Sequence, residues 1–160
     1  MAEQKTNVMR VLEQRKIAYT AHSYTHGDQP VDGVTAAALI GKEPTQVFKT
    51  LVARGASRQI LVFVIPAAEE LDLKKAAKAA GEKSVAMVHV SELNGLTGYV
   101  RGGCSPIGMK KRYPTLFHRS VEELDTVTVS AGKIGCQVEL SPKALLPLIN
   151  AKTADLTIEE

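Results

Sequence analysis

A single lysine stands in an otherwise apolar stretch of this sequence. Lys49 lies in the segment QVFKTLVA, whose β-branched and aromatic residues predict a strand. Strand alternation puts large apolar residues on both faces, namely Val47, Phe48, Leu51 and Val52. A lysine in a strand buried on both sides must reach water from an edge or meet an anion. Two interpretations of Lys49 therefore stay open: an edge-strand lysine, or a lysine that points into a pocket to hold a phosphate or a ribose hydroxyl.

A glycine-rich segment, GGCSPIG at residues 102–108, is the second candidate for chemistry. Its paired glycines, Gly102 and Gly103, allow the backbone to approach a ligand closely and to take positive φ angles. Successive free N–H groups in such a loop can hold an oxyanion or a carbonyl oxygen. Ser105 could donate from its hydroxyl or simply cap the turn. The alternative is a tight turn whose glycines serve only its geometry.

Basic residues accompany both glycine-rich segments of the chain. Lys110, Lys111 and Arg112 follow the first segment, and Lys133 lies in the second, SAGKIG at residues 130–135. A basic triplet is usually a solvated surface, but beside a ligand-binding loop it could steer the backbone of a nucleic acid. SAGKIG by itself indicates a hairpin turn. Two glycine loops and a strand lysine could form one cleft for an anion, although nothing in the sequence alone brings them together.

Other possible catalytic groups lack the partners that their chemistry requires. His22 and His26 have the spacing that binds zinc on a helix, but they span a predicted strand and loop without a third ligand. Cys104 and Ser105 could each be a nucleophile, yet no histidine is placed to activate either one. We therefore expect no metal and no cofactor. An enzyme with these residues would work by positioning and electrostatics, with the substrate supplying its own reactive group.

The composition is that of an ordinary globular protein. The chain has 160 residues, 44% of them hydrophobic, and a net charge of +3, which favours one compact domain over residues 1–160 and excludes a mainly disordered state. Three phenylalanines, four tyrosines and no tryptophan are too few for a platform that stacks single-stranded nucleic acid. Apolar runs are too short for a membrane span, the charged N-terminus is unlike a signal peptide, and two cysteines suit a reducing compartment. These features predict a cytoplasmic protein without a membrane partner.

Four helices are predicted from apolar periodicity and capping residues. They cover residues 6–16, 34–40, 71–81 and a last helix that Ser141 and Pro142 open and Pro147 should kink or split. The helix at 71–81 has Asp72 as its N-cap, Gly81 as its stop, and Leu73 on its inward face. A further helical turn is predicted at 91–94, ended by Gly95.

The predicted strands are short and lie close together in sequence. They cover residues 17–23, 46–53, 59–65, 84–88, 98–101, 115–118, 126–130 and 136–140. A loop at 25–33, a hairpin at 54–58 and a turn at 131–135 separate them, and a polar tail from about residue 151 is expected to fray. Strands and helices without regular βαβ alternation indicate the α+β class. We expect a single compact domain with a mixed, twisted sheet approaching a β-barrel, surrounded by about four peripheral helices.

Together these segments resemble the YbaK family, bacterial deacylases of mischarged Cys-tRNA(Pro) within the superfamily of free-standing prolyl-tRNA editing domains. The resemblance rests on collinear segments that cover most of the chain: HSYTH, VFKTLVA, LDLKKAAKAAG, TGYVRGGCSPIGMKKR and VTVSAGKIGCQVELSP. FKTL and GGxSPxG, in that order with the helix between them, are specific in combination. The resemblance implies the YbaK/ProRS-associated domain fold, with a central cleft. It also implies hydrolysis or elimination at the aminoacyl ester of a misacylated tRNA.

The resemblance also implies roles for individual residues. Lys49 matches the family's key lysine and would hold the phosphate or ribose of the terminal adenosine. Gly102, Gly103 and Ser105 would hold the carbonyl oxygen, and Tyr24 matches the pocket tyrosine. Further implied substrate-binding positions are Phe48, Thr50, Pro106, Gly108, Gly132 and Lys133, and the implied weak tRNA contacts are Lys110, Lys111 and Arg112. In this family the cysteinyl thiol is thought to attack its own ester carbonyl and release a cyclic thioester, which fits the missing base and nucleophile here.

The implied partners are the acceptor end of a mischarged tRNA and prolyl-tRNA synthetase, with no DNA. Ala131, Ile134 and Arg101 depart from the family's usual residues. These departures leave open an alanine- or serine-directed enzyme that positions a water molecule. Two interpretations of other classes also remain: a non-catalytic module that binds tRNA or a synthetase, and a small-molecule or nucleotide-binding protein whose glycine loops are only turns. A Lys49 far from both loops would favour the last.

Overall fold

An antiparallel hairpin stands at the centre of the larger of two sheets. The computed structural model describes residues 5–24 and 32–158. Within them the strands are β1 (Thr20–Ser23), β2 (Phe48–Gly55), β3 (Ile60–Pro66), β4 (Val85–Met87), β5 (Thr115–His118), β6 (Val127–Lys133), β7 (Cys136–Leu140) and β8 (Lys152–Ala154). The helices are α1 (Asn7–Gln14), α2 (Gly33–Leu39), α3 (Leu73–Ala80), α4 (Val90–Thr97) and α5 (Pro142–Leu148), with a 3₁₀ helix at Arg119–Glu123. This arrangement confirms the predicted α+β class.

The strands divide into two sheets that meet at one point. The smaller sheet is antiparallel, in the order β1-β7-β6. The larger sheet has the order β4-β2-β3-β5-β8 and is mixed, because β5 lies parallel to both β3 and β8. Val47, just before β2, pairs in parallel with Thr128 of β6, and the Thr128 N–H donates to the Gln46 carbonyl at 2.9 Å. The predicted mixed sheet is thus present, in two parts joined at the start of β2.

A hydrophobic core fills the space between the sheets. It includes Leu12 of α1, Phe48 and Val52 of β2, and Val138 of β7, all nearly inaccessible to solvent. The Phe48 ring stacks on Phe117 of β5, with the ring centroids 6.1 Å apart. Burial of this apolar surface is the main force that holds the sheets together. The core therefore fixes β2, which carries Lys49, against the smaller sheet.

Capping residues place several helix ends where the sequence predicts them. The Asp72 carboxylate accepts hydrogen bonds from the N–H groups of Lys74 and Lys75 at the start of α3. Gly81 ends that helix in the left-handed region, with φ 72°. Ser141 caps α5, where Pro142 occupies the first turn.

Three predicted details in the second half of the chain are wrong, and the last helix, predicted to kink or split at Pro147, is not split there. The helix predicted to end at Gly95 continues to Thr97, because Gly98 takes the left-handed conformation (φ 86°) and its N–H donates to the Asn94 carbonyl. Residues 98–101 form no strand, since the chain turns at Gly102. The turn predicted at 131–135 narrows to two residues, because β6 continues through a bulge to Lys133. Helix α5 runs across Pro147 and ends at Leu148, one residue later.

Two further predictions about the surface also need correction. Leu73 is 43% exposed and does not face the core, because the buried face of α3 is carried by Ala76 and Ala77. The described part of the tail, 151–158, is not frayed: β8 pairs with β5, and Thr157 pairs with Leu71. Most of the loop predicted at 25–33 lies outside the described residues, and Gly33 already belongs to α2.

Candidate active site

A gap along one edge of β2 opens a cavity of about 500 Å³. Toward its start, β2 meets β6 at Val47, and from Ala53 onward it pairs with β4. Between these pairings, residues 49–51 have no partner strand on that edge among the described residues. The carbonyls of Gln46 and Val52 accept hydrogen bonds on this edge, from the N–H groups of Thr128 and Val88. Main-chain groups alternate in direction along a strand, so the N–H and carbonyl of Thr50 also face this edge. The cavity, here called the Lys49 cavity, is therefore a break in strand pairing that leaves main-chain groups exposed to a ligand.

Lys49 is half-buried in the wall of this cavity. Its ammonium makes no ion pair with any described residue. Asp32, the N-cap of α2, lines the same cavity. The N–H of Thr35, which donates to the Asp32 carboxylate at 2.7 Å, is the main cause of the lowered pKa of Asp32, and the charge of Lys49 adds to it. Among the described residues, Lys49 thus presents a positive charge to the cavity with no carboxylate paired to it.

The first glycine loop forms the opposite part of the wall. Gly102, with φ 85°, and Cys104 both line the Lys49 cavity. The N–H of Gly103 is already used, because it donates to the Val100 carbonyl at 3.0 Å. The predicted carbonyl-binding role therefore cannot include that amide in this conformation. The main-chain N–H groups of Gly102, Cys104 and Ser105 make no hydrogen bond within the described residues and remain as candidate donors.

The second glycine loop packs directly on the first. A Cβ added at Gly103 would lie 3.1 Å from the Cα of Lys133 and 3.0 Å from the main-chain nitrogen of Ile134. Gly132 has φ 93°, and a Cβ there would lie 2.9 Å from the Tyr99 ring. The positive φ at Gly132 favours glycine, and a side chain at Gly103 would have to displace the backbone of the second loop by a few tenths of an ångström. The lysine and the two loops, which could not be placed together from sequence, thus meet in one region, and this geometry argues against loops that serve only as distant turns.

Ser130 of the second loop and Tyr24, which follows β1, also line the Lys49 cavity. Ser130 lines the cavity, and its Oγ accepts the N–H of Gly132 at 3.1 Å. Tyr24 lines it too, and the Tyr24 N–H donates to the Gly135 carbonyl at 2.9 Å. Lys133 is exposed, and neither it nor Gly132 lines the cavity.

The residues on either side of Lys49 face different surroundings. Phe48 touches the cavity, but its ring belongs to the core and is only 2% exposed. Thr50 also lines the cavity, and its Oγ1 is enclosed without a hydrogen-bond partner among the described residues. Of these two, Thr50 is therefore the one whose polar group is free to meet a ligand.

Several predicted site residues lie away from this cavity. Ser105 is fully buried, and its Oγ accepts the Ile107 N–H at 3.2 Å, so its side chain caps the turn. A smaller cavity of about 180 Å³ lies on the other side of the first loop. It is lined by Pro106, Gly108, Lys111 and Arg112, together with Arg15 and apolar neighbours. Lys110 is exposed and lines neither cavity.

The thiol of Cys104 is unsuited to be a nucleophile. Burial raises its pKa to about 11, so the thiolate is scarce at neutral pH, although a hydrogen bond involving Thr97 acts in the opposite direction. No group of three metal-binding side chains occurs among the described residues. His22 is engaged by Glu139, with 2.8 Å between Nε2 and Oε1, and His26 lies outside the described residues.

A half-buried carboxylate, that of Glu139, links elements around the cavity, and the sequence did not single it out. Glu139 of β7 contacts His22 of β1, accepts a hydrogen bond from Lys42 at 2.9 Å, and accepts another from Thr126 at 2.6 Å. Burial alone would raise the pKa of the Glu139 carboxyl, but these three hydrogen bonds outweigh it and hold the pKa at about 2. The network ties the segment after α2 to the smaller sheet, and both border the cavity.

Four polar residues of the cavity were missed as site candidates in the sequence: Asp32, Arg101, Ser130 and Gln137. Gln137 and Glu139 alternate with Val138 and Leu140, so the polar period of two in CQVEL was a signal for a polar sheet face. Arg101 adds a second exposed cation at the cavity wall. The cavity is thus more polar than its apolar β2 segment suggested.

The fold and the cavity define a class of α+β domain in which a lysine and main-chain N–H groups of a glycine loop line one cavity. The sequence model of the aminoacyl-tRNA editing domain family matches residues 29–148. A protein of Enterococcus faecalis that is provisionally named a Cys-tRNA(Pro)/Cys-tRNA(Cys) deacylase, EbsC, is 45% identical over 158 residues, 99% of this chain and 96% of its own. The chain therefore belongs to the aminoacyl-tRNA editing domain family.

Two further comparisons agree with this assignment. YwhH of Bacillus subtilis is 29% identical over 110 residues, which are 69% of each chain. A solved structure described as a candidate trans-editing enzyme for prolyl-tRNA synthetase superposes with a TM-score of 0.81 at 26% identity, over 95% of both chains. The resemblance to the YbaK family drawn from the sequence is confirmed. In the described part of the chain, no helix has the length and apolar character needed to cross a bilayer.

Proposed function

We propose that this protein is a deacylase that removes cysteine from mischarged Cys-tRNA(Pro), and also accepts Cys-tRNA(Cys). The observation that carries the proposal is that Lys49 shares a cavity with Gly102 and Cys104, whose main-chain N–H groups make no hydrogen bond within the described residues. The name of the Enterococcus faecalis relative supports the substrate, because that protein matches along 99% of this chain.

The reaction begins with the acceptor end of the tRNA in the Lys49 cavity. Lys49 binds the phosphate or ribose of the terminal adenosine, a role that its unpaired positive charge permits. The N–H groups of Gly102 and Cys104 point their dipoles at the ester carbonyl oxygen, where negative charge develops. Each such donor contributes about 3 kcal/mol to transition-state stabilisation in related acyl-transfer sites. Tyr24 closes the pocket beside the amino-acid side chain.

The substrate's own thiol is the nucleophile. Its sulfur attacks the ester carbonyl carbon, the new C–S bond closes a four-membered cyclic thioester, and the bond to the ribose oxygen breaks. The proton lost by the thiol ends on that ribose oxygen, so uncharged tRNA leaves and water later opens the thioester to cysteine. This route needs no protein nucleophile, in keeping with the raised pKa of Cys104 and the turn-capping role of Ser105.

The body of the tRNA contacts the protein through Lys110, Lys111 and Arg112. These exposed cations follow the glycine loop in sequence, and Lys111 and Arg112 line the neighbouring small cavity with Arg15. A net charge of +3 gives only weak tRNA affinity, so a prolyl-tRNA synthetase that already holds the tRNA is the natural partner. The whole chain acts as one cytoplasmic editing domain.

A deacylation panel over Cys-, Ala- and Ser-tRNA(Pro) tests this function. Purified protein should release cysteine rapidly and serine far more slowly, because a hydroxyl is a weaker nucleophile than a thiol. Alanine, which has no side-chain nucleophile, should be released no faster than in buffer. Faster release of alanine than of cysteine would replace the proposal with a water-positioning enzyme. Salt-dependent tRNA binding without any release would replace it with a non-catalytic binding module.

A further inference from the structure

Two side-chain oxygens in the wall of the Lys49 cavity lack a hydrogen-bond donor. Gln137 is only 8% exposed, and its Oε1 is enclosed without a partner among the described residues. The Oγ1 of Thr50 is also enclosed and has no hydrogen-bond partner among the described residues. Both residues line the cavity that also holds Lys49 and Gly102. A buried polar atom left without a partner destabilises the protein, so these oxygens point to a ligand that supplies the donors.

The described neighbours of Gln137 in the smaller sheet do not supply a hydrogen bond to its side-chain oxygen, although they do so for the next residue on the same face. It lies on the central strand β7, opposite His22 of β1 and Ser130 of β6. Two residues farther on, on the same face, Glu139 is hydrogen-bonded by three side chains. Ser130 cannot serve Gln137 as a fixed partner in the same way, because its Oγ already accepts the Gly132 N–H. On this polar face, Glu139 therefore has several hydrogen-bond donors, whereas the Oε1 of Gln137, at the cavity, has none among the described residues.

The other polar groups of the cavity restrict which donor can fit. Lys49 and Arg101 are cations, and the free amides of the glycine loop are donors, so none of them can accept a hydrogen bond. An aminoacyl ester carries an α-ammonium group with three N–H donors beside its carbonyl. When the carbonyl lies at the donors of the loop, the ammonium must find acceptors elsewhere. The oxygens of Gln137 and Thr50 are acceptors that no described residue occupies.

We propose that Gln137 and Thr50 form the recognition site for the α-ammonium of the aminoacyl group. The inference rests on the proposed function and adds a specificity determinant to it. The terminal torsion of a glutamine is broad, so a rotation brings the amide oxygen to the cavity when the ammonium arrives. Thr50 reaches the same group by rotation about its Cα–Cβ bond, which carries Oγ1 into the cavity that the residue lines. Together they require a free α-amine and reject substrates in which that amine is missing or blocked.

Asp32 is the competing acceptor in this cavity. Its carboxylate already accepts the Thr35 N–H, and it stands exposed beside the charge of Lys49. Water therefore screens its attraction for a second cation, whereas Gln137 is screened little. The experiment below separates the two residues.

The test compares two substrates that share the reacting thiol. One is Cys-tRNA(Pro), and the other is 3-mercaptopropionyl-tRNA(Pro), which lacks only the α-amine. Because an α-ammonium itself activates the ester, each preference is divided by the ratio of the two uncatalysed release rates. After this correction the wild-type protein should favour the amine-bearing substrate in kcat/KM by about tenfold to a hundredfold, the usual range for a hydrogen bond to a charged group. Gln137→Leu should bring the corrected ratio to within about threefold of one. Gln137→Glu, which keeps an acceptor, should restore the preference.

Controls separate a specificity role from damage to the fold. Gln14→Leu, at an exposed position on α1, should keep the wild-type ratio, and thermal unfolding should show that each variant is folded. If Gln137→Leu keeps the wild-type ratio, or if Asp32→Asn alone removes it, the assignment to Gln137 is overturned. Since the readout is a ratio, it differs from failure of the proposed function, in which the wild-type protein releases neither acyl group.

Discussion

Gly103 lies so close to the main chain of Lys133 that a side chain there would force the two segments apart by a few tenths of an ångström. A Cβ at Gly103 would be 3.1 Å from the Lys133 Cα, and the obstructing atoms are backbone. We expect Gly103→Ala to push the two glycine loops apart, to lower the free energy of unfolding by about 1–3 kcal/mol, and to abolish most deacylation. Chemical denaturation and a release assay measure the two effects.

Gly95→Ala is the matched control for that substitution. Gly95 lies inside α4, and a Cβ there would meet no atom within 4 Å. Alanine should therefore stabilise the helix by about 0.5–1 kcal/mol and leave the cavity unchanged. Equal losses of stability in both variants would show that the tight contact of the loops is not what makes Gly103 necessary.

The carboxyl of Glu139 should make the fold sensitive to acid. Its pKa is lowered from 4.5 to about 2, so its contribution to stability is fully present above pH 4.5 and is lost as the pH falls toward 2. The loss should be on the order of 2–3 kcal/mol. Glu139→Gln should be less stable than the wild type at pH 7, and the difference should shrink in this acid window. Denaturant midpoints between pH 2 and 7 provide the measurement; parallel pH curves would contradict the role of the network.

Cys104 should resist alkylation. With a pKa of about 11, only a small fraction of this thiol is ionised at pH 8, and its burial hinders access further. Mass spectrometry after iodoacetamide treatment should show modification of residue 104 much slower than that of a free cysteine. The rate should rise as the pH approaches 11. Rapid modification at pH 7 would restore Cys104 as a candidate nucleophile.

The basic residues beyond the first glycine loop should control the salt dependence of tRNA binding. Replacing Lys111 and Arg112 with alanine should weaken binding of uncharged tRNA and lower the slope of log K against log salt by about two. Lys143→Ala, an exposed substitution that lines neither cavity, should change neither quantity appreciably. Filter binding at several salt concentrations gives the slope of log K against log salt for each variant. An unchanged slope in the double variant would show that Lys111 and Arg112 do not contact the tRNA.

Local signals in the sequence predict much of this fold. Asp72 and Gly81 mark the ends of α3 because a cap and a left-handed glycine act within a few residues. The β2–β3 hairpin was also predicted, because its two strands are joined by a short turn and pair locally. The pairing of β8 with β5 was missed because parallel edge pairing depends on contacts far apart in sequence. Likewise, Gly95 looked like a helix end, although Gly98 supplies the terminating conformation.

In the candidate site, too, single residues could be recognised from their sequence neighbours, but their packing against each other could not. Lys49 was recognisable as a polar residue in an apolar strand, and Gly102 as part of a flexible loop. Their meeting depends on the packing of Gly103 on Lys133, thirty positions along the chain. Gln137 gave no local signal of function, since only its enclosed and unpaired oxygen distinguishes it from other strand polar residues.

The most direct test of the account is the release of cysteine from Cys-tRNA(Pro) by Lys49→Met. Methionine keeps most of the side-chain volume and removes the charge, and no ion pair within the described residues is broken. The account predicts a kcat/KM at least about a hundredfold below wild type, with thermal stability preserved and with full activity in Lys74→Met, an exposed lysine of α3. Release at the wild-type rate by a folded Lys49→Met protein would contradict it.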